Sequence, residues 1–140
     1  MTDLQLATFH VGDLLLGLPV TAVAEVVKAE HLTHVPLAPK AVCGLLNLRG
    51  RIVTAVDVRV RLGLPPRPEH LPGVHVVLGT SDEPTSLVVD AVGDVVIVAA
   101  QDREDVPETV APALRRLVTG AFQRQASLLL VLDPDLMLDL

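Results

Sequence analysis

The stretch GLLNLRGRIVTAVDVR, residues 44–59, decides the fold of this chain. An apolar run before Arg49-Gly50 and an apolar alternation after it are typical of two β-strands joined by a tight turn. Glycine adopts the positive φ that such a turn requires, and the arginine beside it carries a charge. The stretch ends in an Asp-x-Arg triplet at residues 57–59, whose aspartate is expected to cap a helical turn. It therefore predicts a β-hairpin that presents a charge to a partner, and it contains no catalytic motif.

The composition is that of a globular domain with an aliphatic core. Half of the 140 residues are hydrophobic, but Phe9 and Phe122 are the only aromatic residues, so aliphatic side chains must fill the interior. Valine and isoleucine favour strands. A formal net charge of -6 and the lack of aromatic stacking residues argue against a nucleic-acid partner.

Cysteine usage and hydropathy predict a soluble, cytoplasmic protein. The single cysteine, Cys43, excludes an intrachain disulfide, and it could serve either as a small buried hydrophobe or as a reactive thiol. The first residues lack the basic region of a signal peptide. The longest apolar runs, such as residues 95–100, are far shorter than the ~20 residues that cross a bilayer. We therefore expect no direct membrane insertion.

Turn and proline signals divide the chain into two halves, each with roughly five short strands. Residues 63–73, rich in proline and flanked by glycine, predict a connector between the halves. Asp133-Pro134 predicts the start of a short C-terminal helix that runs through Leu140. Because closure of a sheet removes its exposed edges, we expect an all-β fold of two small barrels.

The two halves resemble each other in sequence. LPVTAVAEVV at residues 18–27 aligns with LVVDAVGDVV at residues 87–96, including an acidic residue before each Val-Val pair. IVTAVD at residues 52–57 aligns with LLLVLD at residues 128–133. Two copies of one small β-unit explain this likeness, although a valine-rich composition could also produce it by chance.

The sequence holds little that indicates catalysis or metal binding. Among the histidines only His31 and His34 lie close together, without a cysteine or carboxylate at a usual zinc spacing. A small β-barrel enzyme or ligand-binding module would have to use Asp57, Asp90 or Asp94 as carboxylates in a cleft. We expect instead that Asp57 caps a turn, that Asp90 and Asp94 lie where a strand turns, and that the protein needs no cofactor.

The order of short motifs along the chain resembles the CheW family of chemotaxis adaptor proteins. The most specific element is NLRG at residues 47–50 followed by the Asp-x-Arg triplet. Further matches are GLPV at 17–20, VAEV at 23–26 and LVVD at 87–90. One departure is Ser86, which stands where the family commonly has glycine. The likeness runs from about Leu4 to Leu138, so the resemblance implies a single CheW-like domain over residues 1–140.

The resemblance implies two five-stranded Src-homology-type β-barrel subdomains that share a hydrophobic core. The subdomain boundary would lie near residues 63–73, with the C-terminal segment packing back on the first barrel. The implied function is non-catalytic coupling of transmembrane chemoreceptors to the histidine kinase CheA. The implied partners are the regulatory domain of that kinase, the cytoplasmic tips of methyl-accepting chemoreceptors and other CheW-like domains in array rings.

The resemblance also carries residue roles onto this chain. Glu25 and Arg49 fall on the acidic and basic positions that contact receptor and kinase, and four valines would line an apolar groove between the barrels for the receptor's helical tip. Those valines are Val23, Val26, Val74 and Val95. The full set of predicted binding residues is Val23, Glu25, Val26, Gly44, Asn47, Arg49, Gly50, Val74, Val92 and Val95.

Overall fold

A computed structural model describes residues 2–28, 31–68, 73–79 and 83–139. It contains ten strands: β1 Asp3–Val11, β2 Leu14–Pro19, β3 Val23–Lys28, β4 Val42–Leu48, β5 Arg51–Asp57, β6 Val74–Leu78, β7 Thr85–Val89, β8 Ala91–Ala99, β9 Val118–Arg124 and β10 Ser127–Leu132. Three one-turn α-helices are α1 Val58–Arg61, α2 Pro112–Arg115 and α3 Pro134–Met137, and 3-10 turns span Val20–Ala22 and Ala100–Asp102. The C-terminal helix begins where the sequence predicts but ends at Met137, and Leu140 lies outside the described residues.

The strands form two five-stranded sheets, which confirms the all-β prediction. One sheet, which we call the terminal sheet, has the order β8-β1-β2-β10-β9, and the other, the central sheet, has the order β3-β6-β7-β5-β4. In the middle of each sheet one pair of strands is parallel, β2 with β10 and β5 with β7, while the other pairs are antiparallel. The two orders become identical when strands β1 to β5 are matched in sequence to β6 to β10.

This matching shows how the repeat is built. The first copy contributes β1 and β2 to the terminal sheet and β3, β4 and β5 to the central sheet, while the second copy does the reverse. The chain therefore changes sheet between Pro19 and Val23 and again between Val89 and Ala91. The subdomain boundary expected near residues 63–73 separates the two sequence copies, not the two sheets, because the copies exchange three strands. Residues 69–72 of that connector lie outside the described residues.

A single hydrophobic core joins the two sheets. Its fully buried members come from both, including Phe9 and Leu16 of the terminal sheet and Val56 and Leu87 of the central sheet. Met137 of α3 is buried in the same cluster, so the C-terminal segment packs onto this shared core. Burial of such aliphatic side chains contributes about 1.5–3 kcal/mol each, and neither sheet can obtain it alone.

Local capping explains the ends of β5 and β10. The Asp57 carboxylate accepts a hydrogen bond of 2.9 Å from the amide of Arg59, and the Asp133 carboxylate accepts one of the same length from the amide of Asp135. Each aspartate follows a matching strand of its repeat and starts a one-turn helix. The predicted cap at Asp57 is confirmed.

Candidate functional site

The predicted hairpin between β4 and β5 is present, with a two-residue turn at Arg49 and Gly50. Leu48 pairs with Arg51, and both turn residues have positive φ, 52° at Arg49 and 83° at Gly50, as a type I′ turn requires. The Asn47 side chain accepts a 3.1 Å hydrogen bond from the Gly50 amide, which holds the turn closed. The turn is exposed, and it projects the arginine from the end of the hairpin.

The structure brings Arg49 and Glu25 together as a two-pronged ion pair. Arg49 Nη1 lies 3.1 Å from Glu25 Oε1, and Arg49 Nη2 lies 2.7 Å from Glu25 Oε2. The side chain of Arg49 is 73% exposed and that of Glu25 is 28% exposed. Parallel N–H donors matched to two carboxylate oxygens form the strongest and most oriented type of surface ion pair.

This ion pair spans what we call a seam, the space between the two end strands of a sheet. In the central sheet the end strands are β3 and β4, and the pair joins Glu25 of β3 to the turn that follows β4. Beside it lies a cavity of about 320 Å³, lined in part by Ala24, Leu48 and Val77. The sheet therefore curves until its ends are within side-chain reach, and the ion pair lies on the rim where they meet.

The predicted apolar residues fall into two environments. Val23 of β3 and Val74 of β6 are partly buried against the shared core. Val26 of β3 is exposed, as are Val92 and Val95 of β8, at the end of the terminal sheet. Val23 and Val74 thus contribute to packing, and the exposed valines lie on end strands of two different sheets.

Gly44 has a packing role in β4. A β-carbon there would lie 2.9 Å from Leu32 Cβ and 2.9 Å from the Thr33 carbonyl oxygen. Thr33 pairs with Leu45, so the segment before β4 lies directly on the strand. Only glycine leaves room for this approach.

A second ionic cluster, which sequence reasoning missed, centres on Asp90 between β7 and β8. Arg59 donates to both of its carboxylate oxygens at 3.0 and 2.6 Å, and Arg67 donates twice to Oδ1 at 3.0 and 2.7 Å. The Gly12 amide adds a 2.7 Å hydrogen bond to Oδ2. The cluster ties α1, the connector and the β1–β2 turn to the crossover between the sheets.

The three candidate catalytic aspartates have separate structural settings. Hydrogen bonds from Arg59 above all, then from the Gly12 amide and Arg67, hold the pKa of Asp90 well below its usual range, so it remains an anion. Asp57 caps α1. Asp94 lies exposed within β8, so the expectation that it sits where a strand turns is wrong. The three carboxylates therefore do not form a shared acid–base site.

Two further polar groups are sheltered. His75 Nδ1 lies 2.8 Å from Ser86 Oγ, both residues are buried, and burial together with the nearby positive charge of Arg67 lowers the pKa of His75 to about 4. Burial, and secondarily the charge of Asp57, raises the pKa of Cys43 to about 11. Cys43 is therefore a protonated packing residue at neutral pH, and Ser86, in the position where glycine was expected, satisfies a buried histidine.

The described residues contain no group of three or more metal-ligating side chains. Within the same part of the chain, no helix has the length and hydropathy needed to cross a membrane.

Together, the two sheets and the exposed ion pair define a small β-domain whose charged rim suits contacts with other proteins. A family model described as a CheW-like domain matches residues 5–140. The chain is 29% identical over 134 residues to the chemotaxis protein CheW of Treponema pallidum, which covers 92% of this chain and 78% of the relative. It is 27% identical over 138 residues to the chemotaxis protein CheW of Bacillus subtilis, which covers 99% of this chain and 88% of the relative.

The fold agrees with these relationships. The crystal structure of the scaffolding protein TtCheW from Thermoanaerobacter tengcongensis matches with a TM-score of 0.86 at 23% identity, covering 100% of this chain and 90% of that one. The chain belongs to the CheW-like domain family. It is a non-catalytic adaptor of chemotaxis-type signalling, and the alternative of a small β-barrel enzyme is not supported. Adaptors of this family couple chemoreceptors to the kinase CheA.

Proposed function

We propose that this chain acts in the cytoplasm, where it couples the cytoplasmic tips of methyl-accepting chemoreceptors to the regulatory domain of CheA. Other CheW-like domains would be its neighbours in array rings. The observation that carries the proposal is the oriented Glu25–Arg49 ion pair on the rim of the central sheet. The pair would be a contact for one of these partners.

The geometry of the pair supports a binding role. Its two hydrogen bonds use only part of the donor set of the guanidinium, so Arg49 keeps N–H groups for a carboxylate or carbonyl of a partner. Because Glu25 and the type I′ turn already hold the side chain in place, little further side-chain entropy is lost when a partner binds. A charge on an exposed rim also fixes the orientation of the partner.

Exposed aliphatic side chains supply the other half of the proposed surface. Val26 follows Glu25 on β3, and Val92 and Val95 lie on β8 with Ile97. A receptor helix presents apolar side chains at turn spacing, and such helices bind by laying them on apolar surface beside charged rims. We propose that the receptor tip covers some of these valines.

The test is charge reversal at the ion pair. Arg49→Glu and Glu25→Lys should each weaken co-sedimentation with receptor fragments and CheA by about tenfold, while far-UV circular dichroism remains unchanged. Arg115→Glu makes the same charge change as Arg49→Glu at an exposed position of α2 and serves as its matched control. Wild-type recovery of the ternary complex with both reversed variants would defeat the proposal.

A further inference from the structure

The two halves of the chain hold each other together by strand pairing. The first half comprises β1 to β5 with α1, and the second comprises β6 to β10 with α2 and α3. Four strand pairs join the halves: β1 with β8, β3 with β6, β2 with β10 and β5 with β7. Among the described residues, β3 and β8 pair with no strand of their own half. Each half therefore completes its sheets only with the other half.

Side-chain contacts between the halves add specificity to these strand pairs. Asp90 of the second half accepts a 2.6 Å hydrogen bond from Arg59 Nη2 and a 2.7 Å hydrogen bond from the Gly12 amide, both in the first half. In the shared core, Phe9 and Leu87 come from different halves. Matching apolar faces with a charged cluster at their edge fit the two halves of this sequence to each other. The same half of another molecule of this chain offers identical surfaces.

The connector passes from one half to the other next to Pro66. The amide of Leu64 donates a 2.8 Å hydrogen bond to the carbonyl of Arg59, and Arg59 Nη1 donates a 3.2 Å hydrogen bond to the carbonyl of Pro65. Two residues further on, Arg67 donates to Asp90 of the second half at 2.7 Å. Consecutive prolines favour a stiff, extended backbone. A connector that straightens at Pro65-Pro66 would direct the second half away from its own first half.

We infer that a second copy of this chain is a binding partner, and that two copies exchange their second halves to form a closed dimer. Each lobe of this dimer contains the first half of one copy and the second half of the other. Because the contacts within a lobe equal those of the monomer, the exchange costs mainly the translational and rotational freedom of one molecule. The dimer is therefore favoured at high local concentration, and the monomer at low concentration.

The inference goes beyond the proposed adaptor function and does not depend on it. Glu25 and Arg49 both belong to the first half, so the exchange leaves their ion pair within one copy. Each dimer would display the pair twice, on two lobes that the connectors hold together. Two linked copies of one binding surface raise the avidity for clustered partners.

Disulfide trapping distinguishes this exchange from any other association. Gln5 of β1 and Ile97 of β8 are exposed and lie opposite each other across the two halves. Opposite residues of antiparallel strands have Cα atoms about 4.5–5.5 Å apart, a distance that a disulfide bridges. Two full-length chains are prepared in a Cys43→Ala background, one with Gln5→Cys and the other with Ile97→Cys. They are unfolded together in urea, refolded at high concentration and oxidised.

A disulfide between the two chains should then form, because β1 of one chain pairs with β8 of the other only after exchange. Its yield should be at least about tenfold higher than that of a control pair in which Ala111→Cys replaces Ile97→Cys. Ala111 is an exposed residue of the same half and lies near the β1–β2 turn, at the opposite end of β1 from Gln5. For the wild type, size-exclusion chromatography with light scattering should show a species of doubled mass, whose share rises with the protein concentration during refolding.

A wild-type protein that refolds only as a monomer at every concentration would overturn the inference. A dimer without the disulfide between positions 5 and 97 would also overturn it, since the two copies would then associate through their outer surfaces. Equal disulfide yields for the test pair and the control pair would show random oxidation and would have the same consequence. None of these results bears on the role of the Glu25–Arg49 pair, which charge reversal tests separately.

Discussion

Two arginine–carboxylate clusters among the described residues use the same chemistry in opposite surroundings. The Glu25–Arg49 pair joins the ends of one sheet on an open rim, where the arginine is 73% exposed. The Asp90 cluster joins the two sheets and the connector, and its arginines, Arg59 and Arg67, are 19% and 10% exposed. Burial thus separates a cluster suited to binding from one suited to holding the fold.

The energetics follow from this difference. Exposed ion pairs contribute about 0–1 kcal/mol to folding because water and salt screen them. A sheltered charge that loses its partner is far more costly, since it remains desolvated without compensation. The Glu25–Arg49 pair should therefore contribute little to the stability of the fold, whereas the Asp90 cluster should contribute substantially.

The largest expected effect is that of removing the charge at Asp90. Asp90→Asn leaves Arg59 and Arg67 without their shared anion and should lower the free energy of unfolding by about 2–4 kcal/mol. Asp94→Asn is the matched control, because Asp94 is an exposed carboxylate four residues further along the chain. Urea denaturation measures both, and equal midpoints for the two variants would erase the proposed contrast.

The second largest effect on stability is expected from lowering the pH, which acts through the buried His75. The pKa of His75 is lowered from 6.5 to about 4, so between these values the unfolded chain binds more protons than the folded one and stability falls as pH falls. From about pH 7 to about pH 4.5 this contributes a loss on the order of 2 kcal/mol. The pKa of Asp90 lies below its ordinary 3.8, so its contribution is lost only at still lower pH.

Urea titrations across this range should show a smaller fall in stability for His75→Gln than for the wild type. An identical pH dependence in the two proteins would mean that His75 does not titrate as its burial requires.

The smallest effect on stability is expected at the exposed Glu25–Arg49 pair. Glu25→Gln should change the free energy of unfolding by less than about 1 kcal/mol, because the partner arginine returns to water at little cost. Thermal unfolding at low and high salt measures this directly. A loss as large as that of Asp90→Asn would show that closure of the seam depends on the pair.

Local sequence signals predicted much of the architecture. The Arg49-Gly50 turn, the Asp57 cap and the likeness of the two halves all depend on neighbouring residues or on a simple repeat, and the structure contains each of them. The exchange of strands between the halves could not be predicted in the same way. Each half could keep its five strands in one sheet, or the halves could exchange strands as they do here. The alternating apolar pattern of the strands is compatible with either arrangement, so the pattern alone does not select one.

At the candidate site, too, the sequence predicted individual residues but not the contacts between them. Glu25 and Arg49 were both predicted as binding residues, but their mutual ion pair depends on the curvature of the central sheet. Asp90 contacts arginines 23 and 31 residues away, and no local pattern encodes such separations. The Asp-x-Arg triplet and the LVVD motif did contain Arg59 and Asp90, and the missing information was that they meet.

The most direct test of the central claim is to exchange the two charges of the open pair. Glu25→Arg/Arg49→Glu can re-form the ion pair in reverse, so its melting temperature should equal that of the wild type. If the pair contacts a partner, binding to receptor fragments and CheA should nevertheless remain about tenfold weaker than in the wild type. Full recovery of assembly by the exchanged protein would show that the pair only closes the seam, and would contradict the binding role proposed for it.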